Sequence, residues 1–347
     1  MMEKIKVPHA AGEYTIYAGE GILKDAFGEF DFSKYDRVFL VSDSNVWSLW
    51  GEKMTEVLAS CGITLAGHYV FPAGETSKRL ETVSDMYAAF AAASLTRRSI
   101  LIALGGGVCG DMTGFAAATY LRGIAVIQVP TTLLSQIDSS IGGKTGVDLA
   151  VGKNLVGAFW QPAAVIADSA FLDTLPRRYI DDGMGEAIKY GCIWDEQLFD
   201  AIADKSIDRA EMIARCMKIK AEVVSTDERD TGLRAILNYG HTIGHAVEKL
   251  GGFSRFSHGE SVGIGMLYAA KVGEAMGCPK DIYGRILAAL QAWELPTVMD
   301  YAPEALIDAA RADKKREGDE ISFVLLEKIG KCYVKKVPIS ELAGMIQ

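Results

Sequence analysis

In the first half of the chain, short apolar runs alternate with stretches of helical spacing, and this alternation limits the fold more than any other feature. The runs are RVFLVSD (37–43), ITLAGHYVF (63–71), SILIAL (99–104) and IAVIQVP (124–130). Helical spacing follows at 46–60, through GETSKRLETVSDMYAAFAAA, and at 111–120. Strands separated by helices need crossovers, which gives a parallel sheet with helices on both faces. Residues 4–8 and 13–18 alternate around Ala-Gly and read as an opening hairpin. After about residue 170 the spacing becomes helical almost throughout, as in GMGEAIKYG, RAEMIARCMKIKAEVVSTDE and ESVGIGMLYAAKVGEAM. The expected architecture is an α/β, Rossmann-like parallel-sheet domain over 1–170, followed by a mainly α-helical domain over 171–347.

A length of 347 residues suits two domains. Hydrophobic residues at 49% and charged residues at 23% describe a soluble protein with a large core. The net charge of -9 argues against a general nucleic-acid or membrane binder. It leaves room for an anionic small molecule held by local lysines and arginines. The six cysteines are scattered without a CxxC pair, as expected of thiols in a reducing compartment. MMEKIKVPHAAGEY has no apolar signal region, and no stretch approaches the roughly 18 apolar residues of a membrane span. A cytoplasmic location is the expectation.

GGGVCGD follows one of the apolar runs and precedes a helix. Gly105, Gly107 and Gly110 fit GxGxxG, in which bare glycines admit a pyrophosphate and the helix start offers N–H groups. A tight βα turn needing positive φ explains the same glycines. The acidic residue usual about 20 positions later is absent. Asp43, ending the first strand of the sheet, is the better candidate for ribose hydroxyls; it serves equally as a helix N-cap. PAGETSK (72–78) brings Gly74, Glu75 and Lys78 after another strand, where capping and turn chemistry are the simpler reading. In VPTTLLSQIDSSIGGKTGVD, Thr131 and Thr132 end a strand and Asp138 precedes Gly142-Gly143-Lys144. Gly152-Lys153-Asn154 adds a second lysine. Two lysines in glycine-rich turns beside parallel strand ends suggest an anion cradle.

NYGHTIGHAVE places His241 and His245 at i and i+4, on one side of a helix. No glutamate follows the first histidine, so this is not the HExxH zinc-protease pattern. His258 opens the next helix, and GMGEAIKYG supplies Glu186 with Lys189 one turn on. One carboxylate and two or three imidazoles suit zinc or a similar divalent ion with open positions for a hydroxyl. Histidines packed in a helical core are the competing explanation. Lys220, Arg234 and Asn238 lie near this set in sequence and suggest groups for carboxylate or phosphate.

Taken in order, GETSK, ALGGGVCGDMTGF, TYLRG, VPTTLLSQIDSSIGGKTGVD, GKNLVGAFWQP, GMGEAIKYG, NYGHTIGHAVE and SHGESVGIGM resemble the signature set of the 3-dehydroquinate synthase family, within the sugar-phosphate cyclases. The resemblance covers nearly the whole chain. It implies Glu186, His241 and His258 as ligands of one zinc or cobalt ion. It implies NAD contacts from Asp43, Gly74, Glu75, Lys78, Gly106, Gly107, Val108, Gly110, Asp111, Thr131 and Thr132, and from Phe171, Leu172, Asp173 and Thr174. Lys144 and Lys153 are expected beside both cofactor and substrate. Asn154, Lys189, Lys220, Arg234, Asn238, His245 and Asp138 are expected around the substrate's carboxylate, hydroxyls and phosphate. Arg122 is implied to reach a neighbour's phosphate across a homodimer interface, and Lys314, rather than Lys315, to close over the phosphate. The implied reaction is a lyase step of aromatic amino-acid biosynthesis on 3-deoxy-D-arabino-heptulosonate 7-phosphate. C5 is transiently oxidised by NAD, phosphate leaves, C5 is reduced again, the ring opens, and an intramolecular aldol closure gives 3-dehydroquinate. Two alternatives remain: a sister cyclase acting on a sugar phosphate without a carboxylate, and a metal-dependent polyol dehydrogenase that releases NADH.

Overall fold

The computed structural model describes residues 1–298, 300–313 and 320–346. The chain divides into two compact units, one of Met1–Pro176 with Lys220–Arg229, the other of Arg177–Ile219 with Asp230–Gln347.

The first unit opens with β1 (Glu3–His9) and β2 (Gly12–Gly19), an antiparallel hairpin. It continues through α1 (Leu23–Glu29), β3 (Val38–Asp43), α2 (Ser44–Val46), a π turn at Trp47–Gly51 and α3 (Glu52–Ser60). Next come β4 (Leu65–Phe71), α4 (Leu80–Ala92), β5 (Ile100–Gly105), α5 (Gly107–Thr119) and β6 (Ala125–Pro130). A small hairpin of β7 (Lys144–Leu149) and β8 (Gly152–Phe159), then β9 (Ala164–Asp168), complete the strands of this unit.

The main sheet has the order β1-β2-β9-β6-β5-β3-β4, parallel except for the opening hairpin. β5 is buried at every position, as a central parallel strand covered on both faces must be. Its side chains divide by the period of two. Ile100, Ile102 and Leu104 join Phe27, Met54 and Leu58 on one face. Leu101 and Ala103 join Val83, Met86, Phe90, Met112 and Phe115 on the other. The strand order reverses between β3 and β5, and a reversal of this kind opens a crevice at the carboxyl ends of those strands.

Two local readings need correction. The helix expected from 111 begins at Gly107, because glycines weaken the apolar period of its first turn. Lys144, Lys153 and Asn154 stand on the antiparallel β7–β8 hairpin, not in turns of the parallel sheet. A β-carbon at Gly146 would lie 2.6 Å from the Val156 carbonyl oxygen, and one at Gly157 would strike that of Thr145. Glycines that let two backbones approach carry no apolar alternation, so the hairpin is silent in the pattern.

The second unit is mostly helical: α6 (Arg177–Ile193), α7 (Glu196–Ala203), most of α8 (Arg209–Thr226), α9 (His241–Leu250), α10 (His258–Ala275), α11 (Asp281–Ala292), α12 (Pro303–Asp313) and α13 (Ile339–Met345). It also holds an antiparallel hairpin, β10 (Glu320–Lys328) with β11 (Lys331–Pro338). Ile243, Val247, Ile264, Tyr268, Phe323 and Leu325 share its core. Lys314 and Lys315 lie outside the described residues. Among the described residues, no helix is long and apolar enough to cross a membrane.

Candidate active site

In the second unit, Glu186 is 1% exposed in the middle of α6. Its Oε2 accepts a hydrogen bond from Lys189, one turn on and equally buried. Its Oε1 is buried with no hydrogen-bond partner among the described residues. Instead, Nε2 of His241 stands 3.4 Å from that oxygen and Nε2 of His258 3.6 Å. One donor atom from each of the three residues lies within 4.8 Å of the others. Each ring has an oxygen facing its other nitrogen. His241 Nδ1 is 3.2 Å from the Tyr239 carbonyl, and His258 Nδ1 is 3.3 Å from Glu248 Oε2. With Nδ1 of each ring donating to its oxygen, both Nε2 atoms are turned toward the orphaned carboxylate oxygen. One oxygen and two imidazole nitrogens are a donor set that suits a borderline divalent cation.

Glycines set these distances. Each of the three residues has a glycine beside it in the chain, and each glycine sits where helices touch. A β-carbon at Gly185 would strike the Gly259 carbonyl, and one at Gly259 that of Asp182. Gly240, at φ 78°, adopts the left-handed conformation that starts α9 at His241. α10 starts at His258 through a capping box of Ser257 and Glu260.

The electrostatics differ between the two rings. Burial, followed by the positive Lys189, holds His241 well below the usual imidazole range, so it is neutral near pH 7. Burial also opposes the His258 cation, but the hydrogen bond that Glu248 accepts from it and the charge of Glu186 outweigh it and raise the ring to about 9. A cation binding at Nε2 must displace that proton.

His245 lies beside this set, its ring centroid 5.4 Å from that of His241. Glu248, which the sequence reading passed over, sits on α9 with both. A signal was available: 241, 245 and 248 fall at i, i+4 and i+7, one face of a helix. Arg234 and Asn238 differ in exposure. They stand on a 3₁₀ turn, Leu233–Asn238, where residues four apart do not stack; Arg234 is buried and Asn238 exposed.

In the first unit, the glycine turn and Asp43 meet where the strand order reverses. Asp43 Oδ1 caps α2 by accepting from the N–H groups of Asn45 and Val46. Its Oδ2 faces the turn, 3.4 Å from where a β-carbon of Gly105 would stand. Burial pushes this carboxyl above its usual range. α5 starts at Gly107 with no side-chain cap from Gly106, so the N–H groups of Gly107 and Val108 head the helix. Gly110 lies against Gln128, and Asp111 sits in the same first turns. Thr131 Oγ1 is buried without a hydrogen-bond partner among the described residues. The Thr132 hydroxyl bonds to Ser135 Oγ at 2.8 Å. An uncapped helix start, bare glycines, an inward carboxylate and an orphaned hydroxyl form a cradle suited to a dinucleotide.

Lys78 is 5% exposed, and its Nζ donates to Asp111 Oδ2 and Asn154 Oδ1, both at 2.6 Å. Burial works against the cation, but the charge and hydrogen bond of Asp111 lift it above the usual lysine range. Gly74, at φ 114°, turns the chain into Glu75–Ser77, and Lys153 Nζ is 3.8 Å from Glu75 Oε1. Lys220 is buried and donates to Asp138 Oδ1 at 2.7 Å. Lys144 is exposed at the start of β7. Phe171 and Leu172 are core residues, the Phe171 ring lying 4.7 Å from that of Trp50; Asp173 and Thr174 are exposed. Arg122 is exposed at φ 70°, next to Leu121 at φ 51°.

Two family models match the chain, 3-dehydroquinate synthase N-terminal over residues 68–182 and 3-dehydroquinate synthase C-terminal over 183–316. The 3-dehydroquinate synthase of Clostridium acetobutylicum is 43% identical, over 98% of this chain and 98% of its own. That of Geobacter metallireducens is 46% identical, over 95% and 94%. The chain belongs to the 3-dehydroquinate synthase family. The two family models meet inside α6, four residues before Glu186. Among solved structures, a 2-deoxy-scyllo-inosose synthase complexed with carbaglucose-6-phosphate, NAD+ and Co2+ superposes with a TM-score of 0.86 at 28% identity, covering 99% of each chain. A 2-epi-5-epi-valiolone synthase from Streptomyces hygroscopicus subsp. jinggangensis, with NAD+ and Zn2+ bound, has a TM-score of 0.85 at 26% identity, covering 96% of this chain and 95% of its own. The 3-dehydroquinate synthase family thus shares a fold with other cyclases.

Proposed function

We propose that this chain converts 3-deoxy-D-arabino-heptulosonate 7-phosphate to 3-dehydroquinate and inorganic phosphate, as a cytoplasmic homodimer. The observation that carries the reading is the buried Glu186 Oε1, orphaned and faced by two imidazole nitrogens, in a chain of this family. Glu186, His241 and His258 would hold one divalent cation, zinc or cobalt. Asp43, the Gly105–Asp111 turn and Thr131 would hold NAD, with Gly74, Glu75, Lys78, Thr132 and the 171–174 segment around it. Bound there, NAD would supply a reversible acceptor for the hydride on C5, and the cation would polarise the C5 oxygen.

The chain's own residues bind and orient. Lys189 sets an ammonium beside the carboxylate of Glu186. Lys220 and Arg234 are buried cations, and Arg234 offers a planar fork to a carboxylate. Two such groups fit a substrate with both carboxylate and phosphate better than one with phosphate alone. Asp138, Lys144, Lys153, Asn154, Asn238 and His245 would take up the hydroxyls and phosphate. Lys314 would close over the phosphate, and Arg122 would complete the partner's phosphate site. The test is to incubate purified protein with the heptulosonate phosphate, NAD and zinc, and to assay phosphate and 3-dehydroquinate. Equal yields without net absorbance at 340 nm are expected. Net NADH from polyols, with no phosphate release, would overturn the reading in favour of a dehydrogenase.

A further inference from the structure

The two imidazoles that face Glu186 are held differently. His241 has a neutral backbone acceptor, the carbonyl of Tyr239, two residues before it in the chain. His258 is the first residue of α10, and its Nδ1 faces a carboxylate from another helix, Glu248 of α9, at 3.3 Å. The Glu248 side chain is 12% exposed, so it is largely withdrawn from water. An imidazole rotates about its Cβ–Cγ bond with little preference between two faces. Only an acceptor on Nδ1 fixes which nitrogen is turned toward Glu186. A carboxylate acceptor also raises the electron density that the opposite nitrogen can donate. α9 thus supplies a ligand candidate, His241, and seven residues later the group that aims a ligand from a different helix.

We infer that Glu248 is a positioning residue of the metal centre, orienting His258 and strengthening its Nε2 as a donor. The inference rests on the proposed metal-dependent function. It is tested on apoprotein, prepared by dialysis against a chelator and reloaded with Co2+. Affinity is measured by competition with a chromophoric chelator, and coordination by the visible d–d bands. Glu248→Ala is expected to bind Co2+ about 10–100-fold more weakly, with altered d–d bands and parental far-UV circular dichroism. Glu248→Gln keeps an oxygen in reach of Nδ1 and is expected to recover most of the affinity. Glu248→Asn, polar but one methylene too short, is expected to lose as much as alanine and carries the test if the alanine variant does not fold. Parental affinity and spectrum in Glu248→Ala or Glu248→Asn would overturn the role of Glu248 alone. A parent protein that takes up no cobalt would overturn the metal centre together with this role.

Discussion

Lys78 and Asn154 lie 76 residues apart in the chain, and Nζ of the first donates to Oδ1 of the second at 2.6 Å. Asn154 is held at φ 54°, while its N–H donates to Asp148, and the Asp148 N–H donates to the Lys78 carbonyl. One lysine therefore ties the β7–β8 hairpin to the helix that starts at the glycine turn. Replacing it with methionine leaves the Asp111 carboxylate without its cation. Lys78→Met should cost about 3–5 kcal/mol in urea unfolding, the range for breaking a buried ion pair. Lys78→Met combined with Asp111→Asn should recover part of that loss. Additive losses would mean that the pair is not energetically coupled.

Gly259→Ala places a methyl group against the Asp182 carbonyl, which belongs to the backbone of α6. Backbone cannot yield as a flexible side chain does. A destabilisation of at least about 1–3 kcal/mol is expected, together with reduced cobalt uptake, because α6 carries Glu186 and α10 carries His258. Thermal unfolding and metal titration of the same preparation check both, and a stable variant with full metal content would contradict the packing argument.

His258→Ala should strip metal and activity together. The expected loss in kcat is on the order of 1000-fold, the several kcal/mol of charge stabilisation that a bound cation contributes. Elemental analysis decides the point: a variant retaining one equivalent of metal removes His258 from the ligand set.

A side chain at Gly107 meets Ser139 Oγ, with 3.1 Å to a built β-carbon, and also enters the space where phosphates would approach. Gly107→Val should weaken NAD binding by roughly tenfold or more, about 1.4 kcal/mol. Titration calorimetry showing parental affinity would place the dinucleotide elsewhere.

Arg122 and Leu121 adopt left-handed backbone conformations in succession, each costing about 1–3 kcal/mol and persisting only where the surroundings require it. The proposed service of Arg122 to a partner's site would be one such requirement. Arg122→Ala and Lys144→Ala should each be inactive. Mixed and allowed to exchange subunits, they should regain about a quarter of parental activity by random pairing. No recovery, with exchange verified by mass spectrometry, would confine Arg122 to its own chain.

Much of the fold was legible because local period reports local burial. The four runs at 37–43, 63–71, 99–104 and 124–130 overlap β3, β4, β5 and β6, and the opening hairpin pairs as its alternation implied. The β7–β8 and β10–β11 hairpins escaped notice. β7–β8 depends on glycines meeting across strands, and β10–β11 lies where helical spacing dominates its neighbours.

By itself the sequence determined which residue types were available and roughly where along the chain: a glycine turn after a strand, two histidines one helical turn apart, a third at a helix start, and Glu186 in a stretch of helical spacing. Only the tertiary structure decided that Asp43 faces Gly105, that Lys78 reaches Asn154, and that His258 stands between Glu186 and Glu248. The first depends on β3 and β5 being neighbours despite β4 between them in the chain. The last depends on helices close enough for backbone carbonyls to touch glycine α-carbons. Strand order and interhelical distance are set by the packing of many residues at once, and no window of local sequence contains them.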